Sequence, residues 1–175
     1  IDVLPTTTDD NTIAWYENRD GVGGSWSRHE IAPGLASQCD WVFGIDVDGD
    51  GDVDAISTSR SNGNAANEVA IITWYENADS VGDSWVYHDV DDGYCSTTSC
   101  PGPVYAVDLD NDGDVDVLSS TYSGTVSWYK NTDGAGGSWH KYTIITSGLN
   151  YVYGPSLKGV DVNGDGSVDV LMCAT

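Results

Sequence analysis

Residues Asp46 to Asp54 read DVDGDGDVD, a carboxylate at every second position. Carboxylates this crowded repel one another unless a cation sits among them. A tight turn points Asp46, Asp48 and Asp50 inward, and Gly51 supplies the positive φ of a sharp bend. Asp52 then offers its backbone carbonyl, and Asp54 closes the shell from the start of the next strand. A cage of hard oxygens, several of them ionised, suits Ca2+, which binds oxygen at about 2.3–2.6 Å. Mg2+ prefers a smaller octahedron and keeps its water, so it is the second choice.

The arrangement recurs twice. The second copy has Asp108, Asp110, Asp112, the carbonyl of Asp114, and Asp116, with Gly113 at the bend. The third has Asp161, Asn163, Asp165, the carbonyl of Ser167, and Asp169, with Gly166 at the bend. Asn163 keeps an oxygen and drops a charge. Ser167 fits a position whose ligand is the backbone. A metal site tolerates those two changes, whereas an acidic run that only aids solubility does not explain them. The expectation is three Ca2+ sites whose filling is coupled to folding.

An EF-hand or dockerin loop also begins D-x-D-x-D-G. Those need a following helix and a Glu at the twelfth position, where this chain has Ser57, Ser119 and Met172. The segments that follow, VDAISTS, VDVLSST and VDVLMCA, are rich in strand formers. The formal net charge of −22 repels nucleic acid and anionic membranes and leaves cations as the natural partners. No apolar run is long enough for a spanning helix, so membrane insertion is not expected.

The acidic loops belong to a larger repeat. TIAWYEN, ITWYEN and TVSWYKN form a second recurring phrase, and GSWSRHEI, DSWVYHDV and GSWHKYTI a third. Each unit reads as four short antiparallel strands: one before the acidic loop (Val42 to Val47), one after it (Ala55 to Ser59), the WYEN strand and the SW strand. Asn, Asp and Gly crowd the connection between the last two strands and mark a turn. Asp133 falls in such a turn, outside any cage, and is expected to matter less for stability than Asp112. Four-stranded meanders stacked radially make a β-propeller, so the fold class is all-β, with about three blades. The units are a partial blade over 1–31, blades over 41–90 and 103–144, and a partial blade over 152–175. Because ring closure takes roughly four to eight blades, the expectation is a piece of a larger propeller or repeat assembly.

These phrases resemble the FG-GAP and VCBS repeat family, the units of integrin-α-type β-propellers. The features that carry the resemblance are the D-x-[DN]-x-D-G-x-x-D loop between two strands, then the WYEN strand, then the SW strand. It implies four-stranded blades, commonly seven to a ring, with Ca2+ in the loop between the first two strands. It also implies an extracellular or cell-surface setting. It does not select an activity, since adhesion receptors, lectins and accessory modules of polysaccharide-degrading enzymes share the fold.

Trp15, Trp74 and Trp128 share one repeat position, and Trp26, Trp85 and Trp139 another, which predicts packing between neighbouring sheets. Trp41, Tyr94, Tyr151 and Tyr153 lie outside those phrases and are candidate glycan contacts. Cys95 and Cys100 bracket a polar loop and are a candidate disulfide, which suits an oxidising compartment. Spacing leaves the pairing of Cys39 and Cys173 open. His29, His88 and His140 fall on strand faces, and no Ser–His–Asp or Cys–His grouping is suggested. The carboxylates that could serve as acid and base are assigned to metal, so the chain is expected to be non-enzymatic. The first functional expectation is a calcium-stabilised extracellular element, structural or adhesive, in sharper form a building block of a surface filament or appendage. Its partners are then other repeats or subunits of the same assembly, or an extracellular protein or glycan. The alternative is a carbohydrate-binding propeller or an accessory module of a polysaccharide-degrading enzyme.

Overall fold

A computed structural model of the chain describes residues 2–7, 12–32, 39–60, 70–91, 93, 101–146 and 156–173. All regular structure among them is β, in four antiparallel sheets whose strands follow chain order. The first sheet holds β1 (Thr6–Thr7), β2 (Thr12–Asn18) and β3 (Trp26–Ala32). The second holds β4 (Cys39–Ile45), β5 (Asp54–Arg60), β6 (Ala70–Asn77) and β7 (Trp85–Asp91). The third repeats that plan with β8 (Pro101–Val107), β9 (Asp116–Thr121), β10 (Val126–Asn131) and β11 (Trp139–Ile145). The fourth pairs β12 (Ser156–Val160) with β13 (Asp169–Cys173). These are meander blades of the propeller type.

Register fixes where the acidic loops lie. Ile45 pairs with Asp54, Val107 with Asp116 and Val160 with Asp169, so each loop is the hairpin between the first two strands of its sheet. The opening strand of the second sheet stops at Ile45, short of the expected Val47. The reason is local: the Val47 amide leaves the ladder and donates to Asp54 Oδ2 at 2.9 Å. A β-bulge recurs at one position of each WYEN strand, between Ile13 and Ala14, Ile72 and Thr73, and Val126 and Ser127. Bulges sharpen the local twist, and their repetition gives the sheets one shape.

Packing between sheets forms the core. Ile13, Ile31, Ala32, Cys39, Ala55 and Tyr75 join the first sheet to the second. Ile56, Ile72, Trp74, Val104, Val117 and Tyr129 join the second to the third. Leu118, Val126 and Leu157 join the third to the fourth. The WYEN tryptophans seat each sheet on the next. Trp15 Nε1 donates to the Gly82 carbonyl at 3.2 Å, and the ring of Trp74 lies over Gly136. Trp85 and Trp139 pack against the cores, whereas Trp26 is 43% exposed. Polar links reinforce the second junction: Asp91 Oδ2 accepts from the Tyr129 hydroxyl and from Lys141 Nζ, each at 2.7 Å.

The turns between the last two strands of a sheet are built alike. The side-chain oxygens of Asn18, Asn77 and Asn131 accept from the amides of Gly23, Gly82 and Gly136. Asp20, Asp79 and Asp133 bind further turn amides; Asp133 accepts from Ala135 and Gly137, each at 3.2 Å. Asp133 thus lies in its turn as expected, and it also has a hydrogen-bonded duty there that its residue type did not announce. Four amides hold Asp79 below its ordinary carboxyl value despite the opposing effect of desolvation.

Candidate metal centre

Each acidic loop is shaped by its own carboxylates. Asp46 accepts from the amides of Gly49 at 2.8 Å and Gly51 at 3.0 Å. Asp108 does the same with Asp112 and Gly113, and Asp161 with Gly164 and Gly166. The fifth-position carboxylates Asp50, Asp112 and Asp165 accept from the amide two residues on, at Asp52, Asp114 and Ser167. The bend glycines Gly51, Gly113 and Gly166 have φ of 98°, 98° and 88°, as the sequence implied. A second left-handed position, at Gly49, Asn111 and Gly164, was not foreseen; asparagine tolerates that region where most side chains do not.

The ninth-position aspartates have a different surrounding. Asp54 and Asp116 are buried, 2% and 0% exposed. Asp54 accepts from the amides of Val47 and Asn77, and Asp116 from those of Leu109 and Asn131. Each carboxylate thus ties the start of its loop to the end of the WYEN strand. Desolvation raises both carboxyls above their ordinary value, against the lowering effect of those amides. Asp169 makes the first of these bonds, with Val162, at 3.0 Å. Near the amino end, Asp2 accepts from the Asn18 amide at 2.8 Å, the counterpart of the second.

Among the described residues, two groups of three carboxylates bring a ligand oxygen each within 4.8 Å of one another: Asp46, Asp48 and Asp50, and Asp108, Asp110 and Asp116. Oxygens on opposite sides of a Ca2+ ion stand about 4.6–5.2 Å apart, twice the metal–oxygen distance. Oxygens gathered within 4.8 Å of one another can share one divalent cation. The third loop does not form such a group. There Asn163 replaces a carboxylate, and its Nδ2 donates to Asp165 Oδ2 at 3.0 Å. Amides hold Asp161 and Asp165 below their ordinary values, chiefly those of Gly166 and Ser167 respectively. Asp52, Asp114 and Ser167 occupy the seventh position, where the carbonyl is the proposed donor.

The fields at the first two loops are opposite. At the first, burial and the charges of Asp50, Glu76 and Asp46 raise Asp48, while the Asp50 amide lowers it. At the second, Lys130 binds Asp110 and lies 2.8 Å from Asp112 Oδ2, and it holds Asp112 below its ordinary value. An ammonium bound between two loop carboxylates shows that the pocket accepts positive charge. Glu17, Glu76 and Lys130 share one position of the WYEN phrase. Sequence reading missed them because alternation along a strand does not say which residue lies beside the acidic loop. The nearby histidines pack on the tryptophans: His29 stacks on Trp15 and His88 on Trp74, with Nε2 of each directed to Glu17 and Glu76.

The other candidates distribute as follows. Trp41 is partly buried and packs against the core between the second and third sheets. Tyr94, Tyr151, Tyr153, Cys95 and Cys100 lie outside the described residues. Cys173 is an exposed free thiol, so the Cys39–Cys173 pairing left open by spacing does not form. Among the described residues no helix is long and apolar enough to cross a membrane.

Comparison with known proteins agrees with the geometry. A search of curated proteins finds no match. The profile of the FG-GAP-like repeat matches residues 46–119 and again 108–172, so both matches begin at the first aspartate of an acidic loop or of its repeat. Repeats of this family are generally non-catalytic and typically extracellular. With four-stranded sheets, acidic hairpins in a fixed register and two profile matches spanning most of its length, this chain belongs to the FG-GAP-like repeat family.

Proposed function

We propose that the chain is a calcium-stabilised, non-enzymatic extracellular element with a structural or adhesive role. In its sharper form the proposal is a building block of a surface filament or appendage, whose partners are other repeats or subunits of the same assembly. The observation that carries it is the convergence of three carboxylate oxygens within 4.8 Å in each of two loops, at one register position of successive sheets. Asp46, Asp48, Asp50 and Asp54 with the Asp52 carbonyl would hold one ion. Asp108, Asp110, Asp112 and Asp116 with the Asp114 carbonyl would hold a second. Asp161, Asn163, Asp165 and Asp169 with the Ser167 carbonyl would hold a third, with less charge. Bound calcium would supply charge neutralisation, offsetting about six of the 22 net negative charges.

The structural role draws support from the aromatic residues. Trp15 and Trp74 are spent on sheet-to-sheet contact, and Trp41 on the core. The test is thermal melting of the full chain with calcium and with EDTA. One site at about 100 times its Kd contributes about 2.7 kcal/mol, which for a chain of this size is a Tm shift of about 5–10 °C. Identical melts would remove calcium from the proposal. Electron microscopy of the native material should show filaments, and a glycan array with calcium present should show no binding. A specific glycan signal would favour the carbohydrate-binding reading instead.

A further inference from the structure

Strand β10 presents Lys130 where β6 presents Glu76 and β2 presents Glu17. In the first two cases by chain order the residue is an acid facing a histidine: Glu17 with His29 Nε2 at 3.3 Å and Glu76 with His88 Nε2 at 2.8 Å. In the third unit the position is reversed in charge. The stem of Lys130 runs beside Trp128, with Nζ 6.0 Å from the ring centre, and its ammonium binds Asp110 and Asp112. Tyr142 replaces the histidine and stacks on Trp128 with ring centres 4.7 Å apart, and His140, paired in register with Lys130, packs on Tyr142. The two carboxylates that Lys130 binds are the third and fifth positions of the loop. By the reading above, those side chains face the ion.

We propose that Lys130 is a tethered counter-ion for the 108–116 loop, which competes with divalent cations there and makes this site weaker than the 46–54 site. The inference rests on the calcium reading of the loops. A divalent ion entering the 108–116 loop must either displace the ammonium from two carboxylates or bind with a fixed positive charge beside it. At the 46–54 loop an ion meets the added negative charge of Glu76 instead. Lysine is a flexible point charge that can swing out, so the second site is weakened and not abolished. The pairs are partly exposed, which limits the difference to about tenfold in affinity. The 108–116 hairpin is then partly neutralised from within and depends less on metal for its shape than the 46–54 hairpin does.

The test uses the 15N-labelled full chain titrated with calcium chloride. It follows the amides of Gly51 and Gly113, which donate to Asp46 and Asp108 at 3.0 Å each. Gly51 should respond at about tenfold lower calcium than Gly113. Lys130→Met should move the Gly113 midpoint toward that of Gly51, and Lys130→Glu should move it further. Glu76→Lys should raise the calcium needed at Gly51, and it keeps the test open if a Lys130 variant fails to fold. Coincident midpoints in the natural chain, or a Gly113 midpoint unmoved by both Lys130 variants, overturn the proposal. No response at either glycine overturns the calcium reading with it, so the two failures are told apart. Melting adds a second measurement. Lys130→Met should lower Tm in EDTA and lose most of that deficit in saturating calcium, whereas equal deficits would mark a lysine with only a structural role.

Discussion

Asp116 shows what one carboxylate can do in this chain. It is fully buried, it satisfies two backbone amides on two different segments, and it still lies among the loop oxygens. Removing it leaves the Leu109 and Asn131 amides without their acceptor, at about 1–3 kcal/mol for each buried donor. Asp116→Ala should therefore cost about 2–4 kcal/mol in chemical denaturation, in EDTA as well as in calcium. Asp114→Ala removes a partly exposed side chain whose expected contribution is its backbone carbonyl, and should cost less than about 0.5 kcal/mol. Equal losses would mean that Asp116 is no more than another loop charge. The repeat made the ninth-position aspartates legible in the sequence, because Asp54, Asp116 and Asp169 recur in phase. Their structural duty was hidden, because its amide donors at Asn77 and Asn131 come from a strand far along the chain. Lys130 was hidden for the same reason: its meaning comes from the strand beside the loop, and a single substitution in a WYEN phrase carries no sign of its neighbour.

Among the elements, the turn joining the last two strands sets how closely sheets approach. Gly136 has φ of 68°, and a Cβ there would stand 2.5 Å from the Trp74 ring. Gly113 is also left-handed, at 98°, yet a Cβ there would meet open space. Gly113→Ala should thus cost about 1–2 kcal/mol from backbone strain alone. Gly136→Ala adds overpacking against a buried ring and should cost about 2–4 kcal/mol. A comparison of the two by urea denaturation separates strain from contact, and equal values would remove the sheet-to-sheet role of Gly136. Strand order, strand number and the acidic hairpins were all readable from the phrases, since alternation and turn residues are local signals. The turn cages were only half readable. The run of Asn, Asp and Gly announced a turn around Asp133, but its hydrogen-bonded function depends on backbone directions that residue types do not state.

Across the whole molecule, the sheets are joined by apolar contact and a few charged links, and the charged links make the junctions sensitive to acid. Asp91, on the second sheet, is held below its ordinary carboxyl value of 3.8: desolvation pushes it up, but Lys141 and Tyr129 on the third sheet and the Gly93 amide outweigh that. A depressed folded-state pKa contributes stability that is complete above the unfolded value and is lost as pH falls through the folded one. Asp91→Asn should therefore be less stable than the natural chain by about 1–2 kcal/mol near neutrality. That gap should shrink as pH falls from about 5 to about 3. A gap independent of pH, measured by denaturation at each pH, would show that the link works by shape and not by charge. The uncharged part of the junction has a different consequence. One indole ring meeting one glycine recurs from Trp15 to Gly82 and from Trp74 to Gly136. A tandem duplication in the gene brings a fresh copy of both halves, so neither new boundary requires a compensating mutation. The junction is therefore the same whatever the number of repeats, while the glycine that receives the ring leaves no room for a side chain.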